Sequence, residues 1–307
     1  MSTKSSGSIY RRIINFGHLT GMRRWRIRLW ALAVLAIVAT LGIQEYWGVH
    51  WVGESFGPGF ALVIFLAALG CEYIDSTLGM GYGTTLTPLL LLAGFEPLSV
   101  VPCVLLSELI TGLLAAFMHQ HDGNVDFLRD RKARGTAILL SVLSIVGAVM
   151  AVTLALKVPK AWLGSIIAVI ILSVGIATLA TLRRRLRYSA KQMVALGAIA
   201  AFNKGLSGGG YGPLVTAGQV VSGMSPKHAV AITSLAEAWT CMVGLAAYLL
   251  LGGHIDWALA APLAAGAVLS VPVATLTVRR LPETAMRASV GGATCLLGVL
   301  TLVKIMW

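Results

Sequence analysis

Two apolar stretches of this chain are interrupted by the same glycine cluster. Residues 78–88 read LGMGYGTTLTP and residues 206–216 read LSGGGYGPLVT, and Gly-Tyr-Gly recurs at a spacing of 129 residues (211 − 82 = 129). Glycine is the residue that a helix tolerates least after proline. A repeated break inside otherwise continuous apolar sequence therefore restricts the fold more than any other feature, and the solvent around the breaks decides how.

That solvent is lipid. With 57% hydrophobic and 12% charged residues and a mean hydropathy of +0.83, the 307 residues have too little polar surface to cover a water-soluble globule. Residues 136–156 and 161–182 are apolar runs of about the twenty residues that cross a bilayer core as a helix. Neither shows the alternation of a membrane β-barrel strand. The four cysteines, Cys71, Cys103, Cys241 and Cys295, lie singly in apolar runs without metal-ligand or redox spacing. They read as small packing residues, and no metal or cofactor is expected.

The net charge of +12 would suit a nucleic acid, but its distribution has a simpler source. Lys and Arg cluster in residues 1–28, 129–134, 183–191 and 279–287, as expected of loops on the cytoplasmic side. Residues 44–58 and 251–257 carry acids and no Lys or Arg, whereas the short 157–160 loop, with Lys157 and Lys160 at its ends, runs against the trend. The tail 1–28 holds no acid and precedes an apolar run with no small-residue cleavage site. Residues 29–48 therefore read as an additional, uncleaved transmembrane helix with a cytoplasmic N-terminus, in a bacterial inner membrane.

Counting crossings constrains the glycines. Residues 59–94 must cross a net zero times, yet at about 1.5 Å per residue they are too long for one straight span, so a re-entrant hairpin is expected, broken at 79–83. Residues 192–222 repeat this from the other side, broken at 208–212. Gly79, Gly81, Tyr82, Gly83, Thr87, Gly94, Pro97, Glu108 and Thr111 recur 129 residues on as Gly208, Gly210, Tyr211, Gly212, Thr216, Gly223, Pro226, Glu237 and Thr240, the mark of an internal duplication. The expected fold is an all-α polytopic membrane protein: one N-terminal helix, then two inverted repeats, 59–182 and 191–307, each a glycine-broken re-entrant hairpin followed by three transmembrane helices. Inverted repeats with broken helices are the architecture of secondary transporters.

The short arms, expected to begin at Thr84 and Pro213, would aim unpaired N–H groups and positive dipole ends at the middle of the membrane. That outlines an anion site, with Gly81, Tyr82, Gly83 and Thr84 at one tip and Ser207, Gly208, Gly209, Gly210, Tyr211 and Gly212 at the other. Lys204 is the one basic residue without an interfacial place; it binds the anion, snorkels, or pairs with its positional counterpart Asp75. Glu108 and Glu237 occupy equivalent mid-helix positions, where an acid costs about 3 kcal/mol on insertion scales. They read either as a protonatable pair coupled to substrate or as carboxyls that satisfy N–H groups freed at the hairpins. Glu72 and Asp75, on one helical face before the first break, suit a proton, a cation or Lys204. His119, His121 and His254 fall at helix ends and are expected to face water; His228, beside Pro226, reads as structural.

These residues carry a resemblance. EYIDSTLGMGYGTTLTPLLLLAG, and FNKGLSGGGYGPLVTAGQVVSGMSPKHAVAITSLAE after a four-arginine loop, resemble the TauE/SafE sulfite exporter family over about residues 61–303. The resemblance implies transport of sulfite, sulfate, thiosulfate or small organosulfonates such as sulfoacetate, and no enzymatic activity. Tyr82 and Tyr211 depart from a run that is often all glycine. Two rival readings are an intramembrane serine protease using Ser207, whose Gly205-Leu206-Ser207-Gly208 matches G-x-S-G, and an anion channel.

The charge pattern sets a topology test. In a background lacking the native cysteines, single cysteines at Arg131, Arg184 and Arg280 are expected to label only from the cytoplasm, and one at Glu54 only from outside. Labelling of Arg184→Cys from the periplasm would break the inverted arrangement.

Overall fold

The computed structural model describes residues 58–95, 97–154, 176, 190–207, 211–250 and 254–306. The chain divides into two units, Met1–Val49 and His50–Trp307. The first unit, with the basic tail and the helix expected at 29–48, lies outside the described residues, as do most of residues 155–189, so the repeat expected at 59–182 is described only in part.

Every regular element among the described residues is helical. In chain order they are α1 (Pro58–Leu78), α2 (Tyr82–Leu92), α3 (Pro97–Asp122), α4 (Arg131–Leu154), α5 (Ala190–Ser207), α6 (Tyr211–Val221), α7 (Pro226–Leu250), α8 (Trp257–Arg280) and α9 (Glu283–Met306). Four of them are long and apolar enough to cross a membrane: α1, α3, α7 and α8. Pro102, Pro262 and Pro272 lie inside such helices, a placement that membrane-spanning bundles tolerate.

Polarity is turned inside out. Leu62, Val63 and Leu66 on α1, Phe117 on α3, and Ile138, Val142 and Val146 on one face of α4 are exposed, whereas Glu72, Glu108, Lys204 and Glu237 are buried. Lipid, not water, rewards that arrangement.

The helices pack in a crossed pattern. α1 lies against α8 and α5 against α4, α3 and α7 pack on each other, and the short α2 and α6 each pack on the helices before and after them. Two apolar cores result. One joins Ile64 and Ala68 of α1, Tyr82 and Leu86 of α2, Val100 and Val104 of α3, and Leu259 and Leu263 of α8. The other joins Ala137 and Leu140 of α4, Ala200 and Ala201 of α5, Tyr211 and Leu214 of α6, and Ala229 and Ile232 of α7. Each core holds one short helix and borrows one long helix from the other half of the chain.

α2 and α6 also end alike. Gly94 and Gly223 take positive φ (95° and 86°), and the next residue closes the turn, Phe95 N–H to the Leu90 carbonyl (3.1 Å) and Met224 N–H to the Gln219 carbonyl (2.9 Å). This is the Schellman stop, which needs a left-handed residue and so favours glycine. Two of the basic clusters, 129–134 and 279–287, meet the start of α7 at one end of the bundle: Asp130, which caps α4 through Lys132 N–H (2.8 Å), lies 3.8 Å from His228, and Lys227 Nζ donates to the Arg279 carbonyl (2.9 Å).

Close crossing of α1 and α8 depends on Gly266. A β-carbon there would overlap the Phe65 carbonyl oxygen and sit 3.0 Å from its carbon and 3.2 Å from the Leu69 nitrogen, all backbone atoms, whereas one at Gly292 would meet nothing within 4 Å. Gly266→Ala is expected to cost about 1–3 kcal/mol, read as a lowered thermal midpoint in detergent, while Gly292→Ala leaves the midpoint in place. Equal midpoints for both would show that α1 and α8 do not cross so closely.

Candidate functional site

The first break is shorter than its sequence suggests. α1 ends at Leu78, Gly79 and Gly81 take φ of +73° and +130°, and α2 begins at Tyr82, two residues before the Thr84 expected. α6 likewise begins at Tyr211 rather than Pro213. The first-turn N–H groups have no acceptor within their helix, so Gly83 and Gly212 sit in first turns, where their poor helix propensity matters least. At α2 the cap position falls on Gly81, which has no side-chain oxygen. Carboxylates from two other helices fill the role: Asp75 Oδ1 of α1 accepts from Tyr82 N–H (3.2 Å) and Glu108 Oε1 of α3 from Gly83 N–H (3.0 Å).

Lys204 stands in the last turn of α5, where a cation suits the helix dipole. It is 2% exposed, and it does not pair with Asp75. Its Nζ donates to Glu108 Oε2 and to Glu237 Oε1 of α7 (2.8 Å). Cys241, one turn after Glu237, donates its Sγ–H to Glu108 Oε2 (3.4 Å). An ammonium, two carboxylates and a thiol from α3, α5 and α7 thus share one buried cluster, a role that isolated cysteine spacing gave no sign of.

Both tyrosine hydroxyls are engaged within the protein. Tyr82 Oη is 2.7 Å from Ser107 Oγ and 3.5 Å from the Leu263 carbonyl, and Tyr211 Oη is 2.7 Å from Ser144 Oγ. The first two turns of α6 touch the first break directly. Thr216 of α6 donates to the Gly79 carbonyl (2.8 Å) and lies 2.9 Å from Thr233 Oγ1, to which Gln219 donates (2.8 Å). Gly212 meets the same backbone: a β-carbon on it would overlap the Gly79 oxygen and come within 2.7 Å of Met80 Cα.

Glu72 is separate from Lys204. Its oxygens accept from Ser76 Oγ (2.6 Å) and Thr111 Oγ1 (3.2 Å). His119 corrects the expectation that it faces water: it is fully buried, donating from Nε2 to the Ser76 carbonyl (3.2 Å) and accepting at Nδ1 from Asn124 (3.0 Å). Folding the Asp122–Asn124 turn back under α8, where Asn124 also donates to the Thr275 carbonyl (2.9 Å), closes the helix end over the imidazole. His121 and His254 are exposed as expected. Thr111 and Thr216 were visible beforehand as repeat matches, while Ser107 and Ser144 carried no signal in the sequence. Gly208, Gly209, Gly210 and the side chain of Ser207 lie outside the described residues.

The Sulfite exporter TauE/SafE sequence model matches residues 63–301. The chain belongs to the TauE/SafE sulfite exporter family. This TauE/SafE protein is also similar to the probable membrane transporter protein YtnM of Bacillus subtilis (strain 168), 28% identical over 256 residues that span 79% of this chain and 83% of the relative. No solved structure matches it. Family membership and the four long apolar helices make it a multi-pass membrane protein of the transport class.

The cluster has a stability signature. Lys204→Met leaves two buried carboxylates without a cation and is expected to cost about 3–5 kcal/mol, measured as thermal unfolding in detergent. Adding Glu108→Gln and Glu237→Gln removes the uncompensated charge and should recover most of the loss. A triple variant no more stable than Lys204→Met alone would mean that the ion pairs are not what Lys204 contributes.

Proposed function

We propose that the protein is a secondary transporter of a small anion, a sulfur oxyanion or organosulfonate, bound where the two glycine breaks meet and coupled to protons. The observation that carries this reading is Lys204: a buried ammonium between Glu108 and Glu237, beside the start of two short helices. A cation buried inside a membrane protein is expensive and marks a path for substrate or ions. In this reading Lys204 and the N–H groups at the starts of α2 and α6 attract the oxyanion, and the substrate site comprises Gly81, Tyr82, Gly83 and Thr84 with Ser207, Gly208, Gly209, Gly210, Tyr211 and Gly212. A proton is held among the buried carboxylates Glu108, Glu237, Glu72 and Asp75, since the single positive charge of Lys204 balances only one of their four negative charges.

The inverted repeat belongs to the same proposal. The crossed pairing of α1 with α8 and α4 with α5, and the matching stops at Gly94 and Gly223, are what two interlocked copies of one unit would produce. The gathering of basic residues at one end of the bundle supports a cytoplasmic face there, and the relative's name supports a location in a cell membrane. The family description and the relative's name support transport over proteolysis at Ser207.

Proteoliposome uptake with a panel of sulfite, sulfate, thiosulfate, sulfoacetate, nitrate and acetate tests the substrate class. At least one sulfur anion is expected to enter saturably. Saturable entry of acetate or nitrate alone would refute the class, and unsaturable flux would indicate a channel.

A further inference from the structure

Glu108 and Glu237 stand at equivalent positions 129 residues apart (237 − 108 = 129), and both touch Lys204, but they are held very differently. Glu108 accepts from Lys204, from Gly83 N–H (3.0 Å) through its other oxygen, and from Cys241 (3.4 Å). Among the described residues, Glu237 has only its 2.8 Å bond to Lys204. Hydrogen bonds to the charged form of a carboxyl favour that form. Glu108 is thus anchored as the cap of α2, whereas a proton on Glu237 breaks its one bond among the described residues and leaves that cap in place.

The other charged or titratable groups that face this cluster divide the same way. α1 brings Asp75, which is tied to Tyr82 N–H, and Glu72, which is tied to Ser76 and Thr111. α2 and α6 bring Tyr82 and Tyr211, both bonded to serines. α7 brings Cys241. Asp75 lies close enough to both glutamates to interact with them electrostatically.

We infer that Glu237, and not Glu108, exchanges with substrate at Lys204. A proton from solvent neutralises Glu237 and removes its claim on the ammonium; the freed Lys204 N–H is donated to an oxygen of the incoming anion, and on release the proton leaves and the carboxylate returns. Glu237 is a tethered occupant of the anion site, and its displacement makes anion binding and proton uptake one event. This rests on the anion-transport reading for the identity of the visitor, but the assignment of the proton to Glu237 does not.

The sign follows directly. Binding requires protonated Glu237, so affinity is high at low pH and falls as pH rises, by about tenfold per pH unit once Glu237 is ionised in the unliganded protein. With purified full-length protein and thiosulfate as probe, the wild type is expected to show that slope and to take up one proton per anion bound in weak buffer. Glu237→Gln should bind thiosulfate with no pH slope and no proton uptake. Glu108→Gln should keep both, with a lower thermal midpoint. Infrared difference spectra on acidification, without any anion, supply the substrate-free arm: a protonated-carboxyl C=O band of the wild type should be missing in Glu237→Gln and present in Glu108→Gln. If the band or the slope survives in Glu237→Gln, the inference fails, and loss of either in Glu108→Gln instead would move the role to that residue. If thiosulfate binds to none of the proteins while the infrared band behaves as stated, the assignment to Glu237 stands and the substrate class is wrong.

Discussion

A helix interrupted at membrane depth frees N–H groups that lipid cannot satisfy, each costing about 1–3 kcal/mol if left unpaired. Much of this structure follows from how the break before α2 meets that constraint. Glycines at 79 and 81 let the chain turn but supply no capping oxygen, so Asp75 and Glu108 come from α1 and α3 to accept from Tyr82 and Gly83. Carboxylates are strong acceptors, but they bring negative charge into an apolar interior. Lys204 answers that charge from the other half of the chain, and Glu237 shares the same ammonium. Capping one short helix therefore ties α1, α2, α3, α5 and α7 into one polar centre.

The apolar packing is arranged around this centre. Each core wraps one short helix and includes one long helix from the opposite half, so each short helix is shielded by an element distant in sequence. Glycine at 212 lets the α6 backbone lie directly on Gly79 and Met80, and Thr216 then bonds the exposed Gly79 carbonyl. The same residue type thus serves two needs: positive φ at 79, and close backbone approach at 212.

What the sequence made legible was whatever depends on periodic or repeated pattern. Apolar run length and the charge bias of the loops are local properties, so the helical, membrane-spanning class could be read from them, and the recurring residues included the two glutamates that the structure brings onto Lys204. Helix starts were misplaced by two residues because glycine was read as a break; in a first turn, where N–H groups have no internal acceptor anyway, it is tolerated. The partner of Lys204 was also out of reach. Position 129 residues apart pointed to Asp75, but contact depends on how α5 meets α3 and α7, and pairwise docking leaves no trace in the spacing. His119 misled for a similar reason: helix-end residues usually meet water, and only the turn at Asp122–Asn124 packed under α8 removes it.

The difference between Asp75 and Lys204 is the last piece. In the proposed duplication these positions are equivalent, and identical residues there would fail in either direction. Two acids would leave four carboxylates, with Glu108 and Glu237, and no cation to hold them. Two lysines would place an ammonium where Tyr82 N–H now finds an acceptor, setting like charge against the positive end of α2. Divergence at this one pair gives the first break an acid that caps a helix and the second a base. That base reaches both glutamates because α3 and α7 pack on each other. In the proposed duplication, one asymmetric charge places a single ammonium between two matched acids, one anchored to backbone as well and one held among the described residues by the ammonium alone, and the proposed trade of an internal anion for an external one depends on that inequality.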